Sequence, residues 1–403
     1  MRKQTEEKTK VSWLTIITIS CLWFGGEMGS GTASGANSMN YFVKVGWIGL
    51  WFCLVATVMQ SWYGYWSTEY SRLTNQHTYA DFLHQMWKPM DKYMVPFFDL
   101  FVVATSPIFI SGCISGVATM FDQYFGMSYT LSVLLVTLAY LVIALAGVKL
   151  LEKIGTALTA IIVVAIIVVL GICIPRFWMA IVEIQRNRTM GEGYTMSQAI
   201  WLMIAAWGQQ SSCINTSVTT NHVLKTRDSV IKAVAIHIGL MTIVKWGLTL
   251  MLQGRWPGNL DAPIYILEAT EAIGSTTIEA FYPILLAACF ISTGPLSIYS
   301  NAIRWTNSKV WDKMADNNIF KKQKTLVCAI VFTLLSYLLA NFDFNFITGV
   351  IQVKASYLWL LLYAIPVSII CPIKVKKLKR KIAALGYDPD DEIPAAISEQ
   401  MIQ

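Results

Sequence analysis

Long uncharged apolar segments constrain the fold of this chain more than any other feature. One of them, TALTAIIVVAIIVVLGICI from Thr156 to Ile174, contains no charged residue. An α-helix rises about 1.5 Å per residue, so roughly 20 such residues cross the hydrocarbon core of a bilayer. Only 14% of the 403 residues are charged, against about 25% in a typical soluble domain. The sequence therefore predicts an all-α polytopic membrane protein whose solvent is the lipid bilayer.

Ten apolar segments are long enough to be membrane spans, and the first and sixth are interrupted by small and polar residues. The segment 255–278 is too polar to span, and we expect it to form a short external helix. The tail after Cys371 is basic and then acidic, and we expect it to be mobile. The predicted spans are 12–40, 45–66, 93–121, 128–147, 152–174, 196–222, 229–252, 279–303, 325–340 and 346–372.

The basic residues predict the orientation in the membrane. With ten spans both termini share one side, and most of the 31 Lys and Arg residues fall on that side. Positively charged loops stay in the cytoplasm. We therefore expect a multi-pass protein of the cell (plasma) membrane with cytoplasmic termini and with Arg186 and Arg188 outside. The same loops account for the net charge of +7, so no nucleic-acid partner is needed to explain it.

Two short sequence matches indicate an internal repeat. Phe24–Gly25 in the first span resembles Trp207–Gly208 in the sixth, and Phe109–Gly112 in the third resembles Phe290–Gly294 in the eighth. Both matches join spans five apart, and an odd number of spans inverts the second unit. This predicts the five-plus-five inverted repeat of many secondary transporters. The predicted division is a cytoplasmic tail 1–11, a first repeat 12–174, an external loop 175–195, a second repeat 196–372 and a cytoplasmic tail 373–403.

The interruption of the first span, WFGGEMGSGTASGAN from Trp23 to Asn37, carries five glycines and one glutamate. Non-helical backbone at membrane depth is tolerated only where it is buried in protein or lines a cavity. The free N–H and C=O groups of a broken helix bind ions and solutes there. We therefore predict a solute site at this break. The alternative is a helix-packing face of small residues, since Gly29, Ala33 and Asn37 lie four apart.

The sixth span is interrupted by AAWGQQSSCINTS, from Ala205 to Ser217, with four consecutive polar side chains in Gln209–Ser212. Interhelical hydrogen bonding is the alternative explanation for them, and packing is the alternative for Trp207. With the first break, these residues form the predicted substrate site. Its members are Gly25, Gly26, Glu27, Gly29, Ser30, Gly31, Trp207, Gly208, Gln209, Gln210 and Ser211.

Four charged residues lie well inside predicted spans, away from the span ends. Glu27 falls within the region expected to be unwound, where it binds a substrate amine, carries a proton or pairs with a lysine such as Lys245. Lys354 is expected to extend its ammonium group to the membrane surface. Asp99 is expected to be an inner-gate or packing partner.

The breaks GGEMGSGTASG and AAWGQQSSCINTS, together with ACFISTGPLS in span 8, resemble the amino acid–polyamine–organocation superfamily, which has the LeuT fold. Within it the chain is most similar to the YkvI-type bacterial membrane proteins. The resemblance implies a sodium ion between the span 1 backbone and two adjacent hydroxyls of span 8. The alternative is that these hydroxyls bond back to their own helix. The implied oxygen ligands belong to Gly25, Met28, Cys289, Ser292 and Thr293.

These features predict a secondary active transporter that imports a small amino-acid-like or amine solute by alternating access, coupled to sodium. One alternative is a proton-coupled transporter or exchanger that uses Glu27. Another is a membrane sensor or scaffold that keeps the fold without transport. The sequence has no GxxxxGK[ST] motif for ATP and no evident nucleophile–base pair, so we expect neither an enzyme nor a cofactor other than the coupling ion.

Overall fold

The computed structural model describes residues 10–76, 78–146, 148–213, 218, 223–306 and 319–402. Within them the chain forms helices joined by short turns, and its one β-type contact is an isolated bridge between Gly46 and Met190. The helices are α1 Trp13–Glu27, α2 Ser30–Ala33, α3 Ala36–Tyr41, α4 Trp47–Thr74, α5 Tyr79–Trp87, α6 Asp91–Phe125, α7 Tyr129–Leu145, α8 Val148–Asn187, α9 Met196–Gln209, α10 Arg227–Gln253, α11 Tyr265–Glu271, α12 Thr276–Thr306, α13 Ile319–Ala340, α14 Phe344–Ala384 and α15 Ala395–Ile402.

These helices follow the predicted spans in order. Helices α1 to α3 form span 1, and α4, α6, α7 and α8 form spans 2 to 5. The second repeat consists of α9, α10, α12, α13 and α14. Among the described residues, parts of α6, α8, α10, α12, α13 and α14 are each long and apolar enough to cross a membrane. Helix α4 has 28 residues but is not among them, because its second half is rich in polar side chains that face the protein interior.

The helices pack as two groups. Helices α6, α7, α12 and α13 contact one another and form a scaffold. Helix α1 packs on α10, α10 packs on α4, and α4 packs on α9, so these four helices form a bundle. Helix α14 packs on α4 and α9, and α8 packs on α1, α10 and α12. Two membrane-embedded groups of helices of this kind are the moving parts expected for alternating access.

The first span is interrupted twice. Helix α1 ends at Glu27, and Met28 and Gly29 are non-helical, with Gly29 extended. The short helix α2 follows, and the chain turns again at Gly35, whose φ of 79° is left-handed and suits glycine. The break is therefore narrower than we predicted: Gly25, Gly26 and Glu27 belong to the last turn of α1 and are not unwound.

The sixth span also loses its α-helical geometry where expected. Helix α9 ends at Gln209 and continues as one 3-10 turn, Gln210–Cys213. The remainder of the predicted break, 214–217, lies outside the described residues. Thr226 then begins α10 with a reciprocal capping arrangement in which its hydroxyl accepts from the Ser229 N–H.

Three boundaries differ from the sequence prediction. The expected external loop 175–195 is helical as far as Asn187, because α8 continues through it. The last span is helical to Ala384, well beyond Cys371. A helix that we did not predict, α5, connects the second and third spans, and Thr78 caps its first turn by accepting from the Asp81 N–H.

The expected mobile tail packs against the protein instead. Arg72 of α4 donates to the backbone carbonyls of Pro389 at 2.7 Å and Asp391 at 2.9 Å. Asp390 pairs with Lys379 at 2.7 Å and with Arg227 at 3.2 Å. Because these partners come from α4, α10 and α14, the tail segment Asp388–Glu392 connects three helices at one end of the molecule.

Candidate functional site

A cavity lies beside the first break, inside the bundle. It encloses about 590 Å³ of space between atoms, part of it open to solvent, and is lined by α1, α4, α10, α14 and the turn after α9. Its polar lining includes Glu27, Gln60, Gln210, Ser211 and His237. We call it the bundle cavity.

Glu27 faces this cavity, and its carboxylate lies beside the imidazole of His237. The Glu27 Oε1 atom lies 3.4 Å from His237 Nε2, and each side chain is 15% exposed. The ring of Trp23 meets the imidazole edge-on, with centroids 6.0 Å apart. One carboxylate oxygen is thus held by a single long contact. The sequence analysis missed His237; its signal was the spacing of His237, Met241 and Lys245, which places them along one side of α10.

Lys245 is buried, with 6% of its surface exposed. Its ammonium group donates to Gln60 Oε1 at 2.6 Å, and the other end of that amide donates to the Ala206 carbonyl. Ala206 is one of the last four residues of α9, whose carbonyls lack helical partners, and a cation stabilises that end of a helix. Lys245 therefore supports the break of the sixth span through Gln60. Its ammonium group contacts Gln60, and Glu27 Oε1 contacts His237.

The predicted residues of the sixth span separate into two groups. Gln210 and Ser211 line the bundle cavity, and the Ser211 hydroxyl is 1% exposed with no hydrogen-bond partner in the described part of the chain. Trp207 donates to the Met59 carbonyl at 3.0 Å, so it holds α9 against α4. A Cβ on Gly208 would lie 2.3 Å from the Ser356 carbonyl oxygen, so Gly208 permits close packing against α14. Gln209 is buried.

The residues of the first break also face different neighbours. Gly25, Gly26 and Gly29 are partly exposed in the middle of the protein, as expected for a cavity wall. A Cβ on Gly31 would meet the side chain of Asn37, so this glycine accommodates its own chain rather than a solute. Ser30 is buried and lies against Gly112 of α6, on the scaffold side.

The implied sodium site brings the expected elements together. A Cβ on Gly29 would lie 3.4 Å from the Thr293 methyl group, so the break meets α12. The Thr293 hydroxyl donates to the Cys289 carbonyl at 3.1 Å, and its lone pairs stay available to a cation. The Gly25 carbonyl accepts from the Met28 N–H at 3.3 Å. The side chain of Ser292 lies outside the described residues. The oxygen donors that are described suit a hard cation.

Asp99 forms a second charged site, within the scaffold. Arg304 of α12 binds both carboxylate oxygens of Asp99, and Tyr79 of α5 donates to Asp99 Oδ1 at 2.9 Å. Burial, and then the charge of Asp99, raises the pKa of Tyr79 well above its usual value, so the phenol stays a donor. Asp99 thus joins α5, α6 and α12, which agrees with the packing role rather than a ligand role.

No protein-family model and no curated protein sequence matches this chain. Solved structures do. A Na⁺-coupled sialic acid symporter is 12% identical, with a TM-score of 0.61 over 96% of this chain and 87% of that one. A manganese transporter of Eremococcus coleocola is 13% identical, with a TM-score of 0.61 over 99% and 89%. Mhp1, a nucleobase-cation-symport-1 family transporter, is 10% identical, with a TM-score of 0.55 over 96% of both.

At these identities the likeness shows the fold. The chain is an all-α, multi-pass membrane protein with the LeuT-like fold, and the predicted fold class is confirmed. All three of these solved structures are transporters by description.

Proposed function

We propose that this protein is a secondary active transporter that imports a small amino-acid-like or amine solute by alternating access. The observation that carries the proposal is a carboxylate, Glu27, facing a cavity beside a broken helix at mid-membrane depth. A lipid-facing or idle carboxylate at this depth is unfavourable. Glu27 would bind the ammonium group of the solute, and the aromatic ring of Trp23 adds a surface suited to a cation.

The contacts at the break support a state that is closed on the outer side. Ile266 of α11 donates its N–H to the Ser34 carbonyl at 3.2 Å, and Tyr282 donates to the Ala33 carbonyl at 3.3 Å. The bundle cavity extends in the other direction, toward Thr68 and Val234, near the ends of α4 and α10 that we place in the cytoplasm. Release of a solute to the cytoplasm fits this arrangement.

Sodium is our proposed coupling ion. Its support is the approach of Gly29 to Thr293 and the oxygen atoms of Gly25, Cys289 and Thr293 on the two sides of that contact. We propose Met28 and Ser292 as the remaining ligands. An ion held between α12 of the scaffold and the break of the bundle would favour the conformation in which both are in contact. This is the link that couples an ion gradient to movement of a solute.

Proton coupling is the second candidate, favoured by the 3.4 Å contact between Glu27 and His237. A carboxylate and an imidazole held together in a cavity can exchange a proton as their surroundings change. Under this candidate, Glu27→Gln would abolish accumulation driven by a pH gradient but leave solute exchange intact. Under the first, accumulation would follow a sodium gradient and Glu27→Gln would weaken binding itself.

Two experiments on the purified protein test these proposals: a ligand screen and then uptake into liposomes. The screen measures thermal shifts with amino acids and amines in the presence of sodium or potassium. A ligand that binds only the folded state raises the melting temperature. Uptake is then driven by either gradient, with Glu192→Gln in an exposed loop as the matched control for Glu27→Gln. A protein that binds ligand but moves none under any gradient would instead be a sensor or scaffold.

The YkvI-type assignment and the cytoplasmic position of both termini are part of the same proposal. Single cysteines at Arg188 and Tyr387, in an otherwise cysteine-free chain, test the orientation. An impermeant thiol reagent added to intact cells should label position 188 only. Labelling of position 387 alone would reverse the topology and make the bundle cavity open outward.

A further inference from the structure

A second polar region lies on the other side of the break from Glu27, where the bundle meets α6 and α14. Asn40 of α3 is 3% exposed, Gln352 of α14 is 1% exposed, and Ser30 of α2 is 3% exposed. Lys44, in the turn that follows α3, is partly buried beside them. The sequence analysis assigned a role to Ser30 only.

The orientation of the Asn40 amide is determined by its neighbour. The Lys44 ammonium group donates to Asn40 Oδ1 at 2.7 Å, and an ammonium group has no acceptor. The oxygen must therefore face Lys44, and the NH₂ group faces away. That Nδ2 atom has no hydrogen-bond partner among the described residues. The amide lies against Gly349 of α14, where an added Cβ would come within 3.1 Å of Oδ1 and 3.4 Å of Nδ2.

Gln352 lies one helical turn beyond Gly349 and directly follows a π-helical segment, Ile347–Ile351. Such segments occur frequently at functional sites. Its Nε2 atom also lacks a hydrogen-bond partner in the described part of the protein. A Cβ on Gly112 would lie 2.7 Å from this nitrogen and 2.7 Å from Ser30 Oγ. Helices α2, α6 and α14 thus meet at Gly112. The amide NH₂ group of Gln352 lies at this point and has no hydrogen-bond partner among the described residues.

The amide NH₂ groups of Asn40 and Gln352 are thus two buried donors without a partner in the described part of the chain. This is unusual, because burying a donor without an acceptor costs about as much free energy as losing a hydrogen bond. With Lys44 they form a region rich in donors. A ligand that suits this region has hydrogen-bond acceptors and a negative charge, and a carboxylate has both.

We propose that Gln352 and Asn40, with Lys44 at the outer entrance, bind the carboxylate of the transported solute when α3, α6 and α14 separate on the outer side. The proposal rests on the transport function above and sharpens it: the solute is an amino acid rather than a simple amine. Gly112 and Gly349 allow the elements to close over the site once the solute has left it.

Gln352→Leu tests the proposal, because leucine is similar in size and has no donor. The probes are the proteinogenic amino acids and, for each one that binds, the corresponding decarboxylated amine, measured by thermal shift and by calorimetry. We expect the variant without ligand to melt at or above the wild-type temperature, since an unpaired donor is removed. Its affinity for the amino acid should fall roughly tenfold or more, and its affinity for the amine should not change.

Thr348→Val is the matched control on the same helix, since Thr348 is 1% exposed and its hydroxyl is already bonded to the Phe344 carbonyl. It should leave both affinities unchanged. If Gln352→Leu does not fold, Gln352→Glu replaces the donor by an acceptor at equal size and should repel the carboxylate. Lys44→Met at the outer entrance should lower amino acid affinity in the same direction.

The two proposals fail separately. This inference is overturned if Gln352→Leu binds the amino acid with wild-type affinity, and the transport proposal then still stands. If the leucine variant does not fold, the same result in Gln352→Glu decides it. An equal loss of affinity for the amino acid and its amine also overturns it, because the effect would then not involve the carboxylate. If neither amino acids nor amines bind the wild-type protein, both proposals fall.

Discussion

Two acid–base contacts inside the helical body, one in the scaffold and one in the bundle, differ in completeness. In the scaffold, Asp99 is bound through both oxygens by Arg304 and is also a hydrogen-bond acceptor for Tyr79. In the bundle, Glu27 lies 3.4 Å from His237 and faces a cavity whose wall includes the Ser211 hydroxyl, which has no hydrogen-bond partner among the described residues. One carboxylate is fully engaged by its own protein, and the other retains capacity for a further partner.

The number of partners that each carboxylate has indicates the role of Asp99 and of Glu27. A fully satisfied polar network makes a region rigid, and Asp99 joins two scaffold helices, α6 and α12, to the connecting helix α5. A partly satisfied carboxylate in a cavity is available to a ligand or a proton. Under the proposed function, the scaffold would move as one body and the bundle would carry the site that binds and releases the solute.

Breaking the scaffold contact should have the largest effect on stability. Asp99→Ala leaves Arg304 partly buried without its carboxylate, and removing one member of a buried pair lowers the free energy of unfolding by about 3 kcal/mol or more. The measurement is unfolding of the purified protein in detergent. Asp99→Asn with Arg304→Met should recover much of the loss. Wild-type stability in Asp99→Ala would show that the two regions do not differ in the way we describe.

The same kind of change in the bundle should affect binding and leave stability nearly intact. Glu27→Gln keeps the shape of the side chain and removes its charge. We expect affinity for an amine-bearing ligand to fall by about 1–3 kcal/mol, the scale of a hydrogen bond to a charged group, with the melting temperature nearly unchanged. The contrary result is a large drop in melting temperature in Glu27→Gln that is reversed when His237→Gln is added. It would show that the contact between Glu27 and His237 stabilises the fold and does not serve a ligand.

The predicted sodium site should respond to a single hydroxyl. Thr293→Val keeps the shape and removes one oxygen ligand. Sodium at ten times its dissociation constant stabilises the wild type by about 1.4 kcal/mol, and this sodium-dependent increment should disappear in the variant. Ser300→Ala, on the same helix with its hydroxyl bonded to the Leu296 carbonyl, is the control. Sodium that stabilises both variants equally would place the ion elsewhere.

The tail contact should give the smallest effect, and one that depends on pH. Burial acts to raise the pKa of Asp390, but hydrogen bonds and charges from Lys379 and Arg227 outweigh it, so the pKa lies below the ordinary 3.8. A lowered folded-state pKa means that the stabilisation is complete above the ordinary value and is lost as pH falls through the folded value.

Asp390→Asn should therefore lower stability by less than about 1 kcal/mol at neutral pH, because the pair is partly exposed and is screened by salt. The difference from wild type should vanish below the folded-state pKa and shrink at high ionic strength. Unfolding curves at several pH values and salt concentrations measure it. A difference that is independent of both would mean that the Asp390 charge does not hold the tail.

The sequence alone predicted the membrane class, the order of the helices and the two interrupted spans. Apolar length and the placement of glycine and polar residues are local properties, and a bilayer leaves few ways to satisfy the backbone of such segments. It also located Glu27 and the Gln210–Ser211 pair in one site, because two broken helices in equivalent repeats meet at mid-membrane.

Only the tertiary structure decided which neighbour each side chain meets. Helical periodicity places Glu27 on a face of α1, but the packing of α10 against α1 is what sets His237 beside it. The packing of α14 against α3 and α6 likewise brought Gln352 and Asn40 to the other side of the break, and the approach of Gly208 to α14 and of Trp207 to α4 removed two predicted ligands from the cavity. These contacts join residues 100 to more than 300 positions apart, and local sequence patterns carry no information about which distant faces pack together.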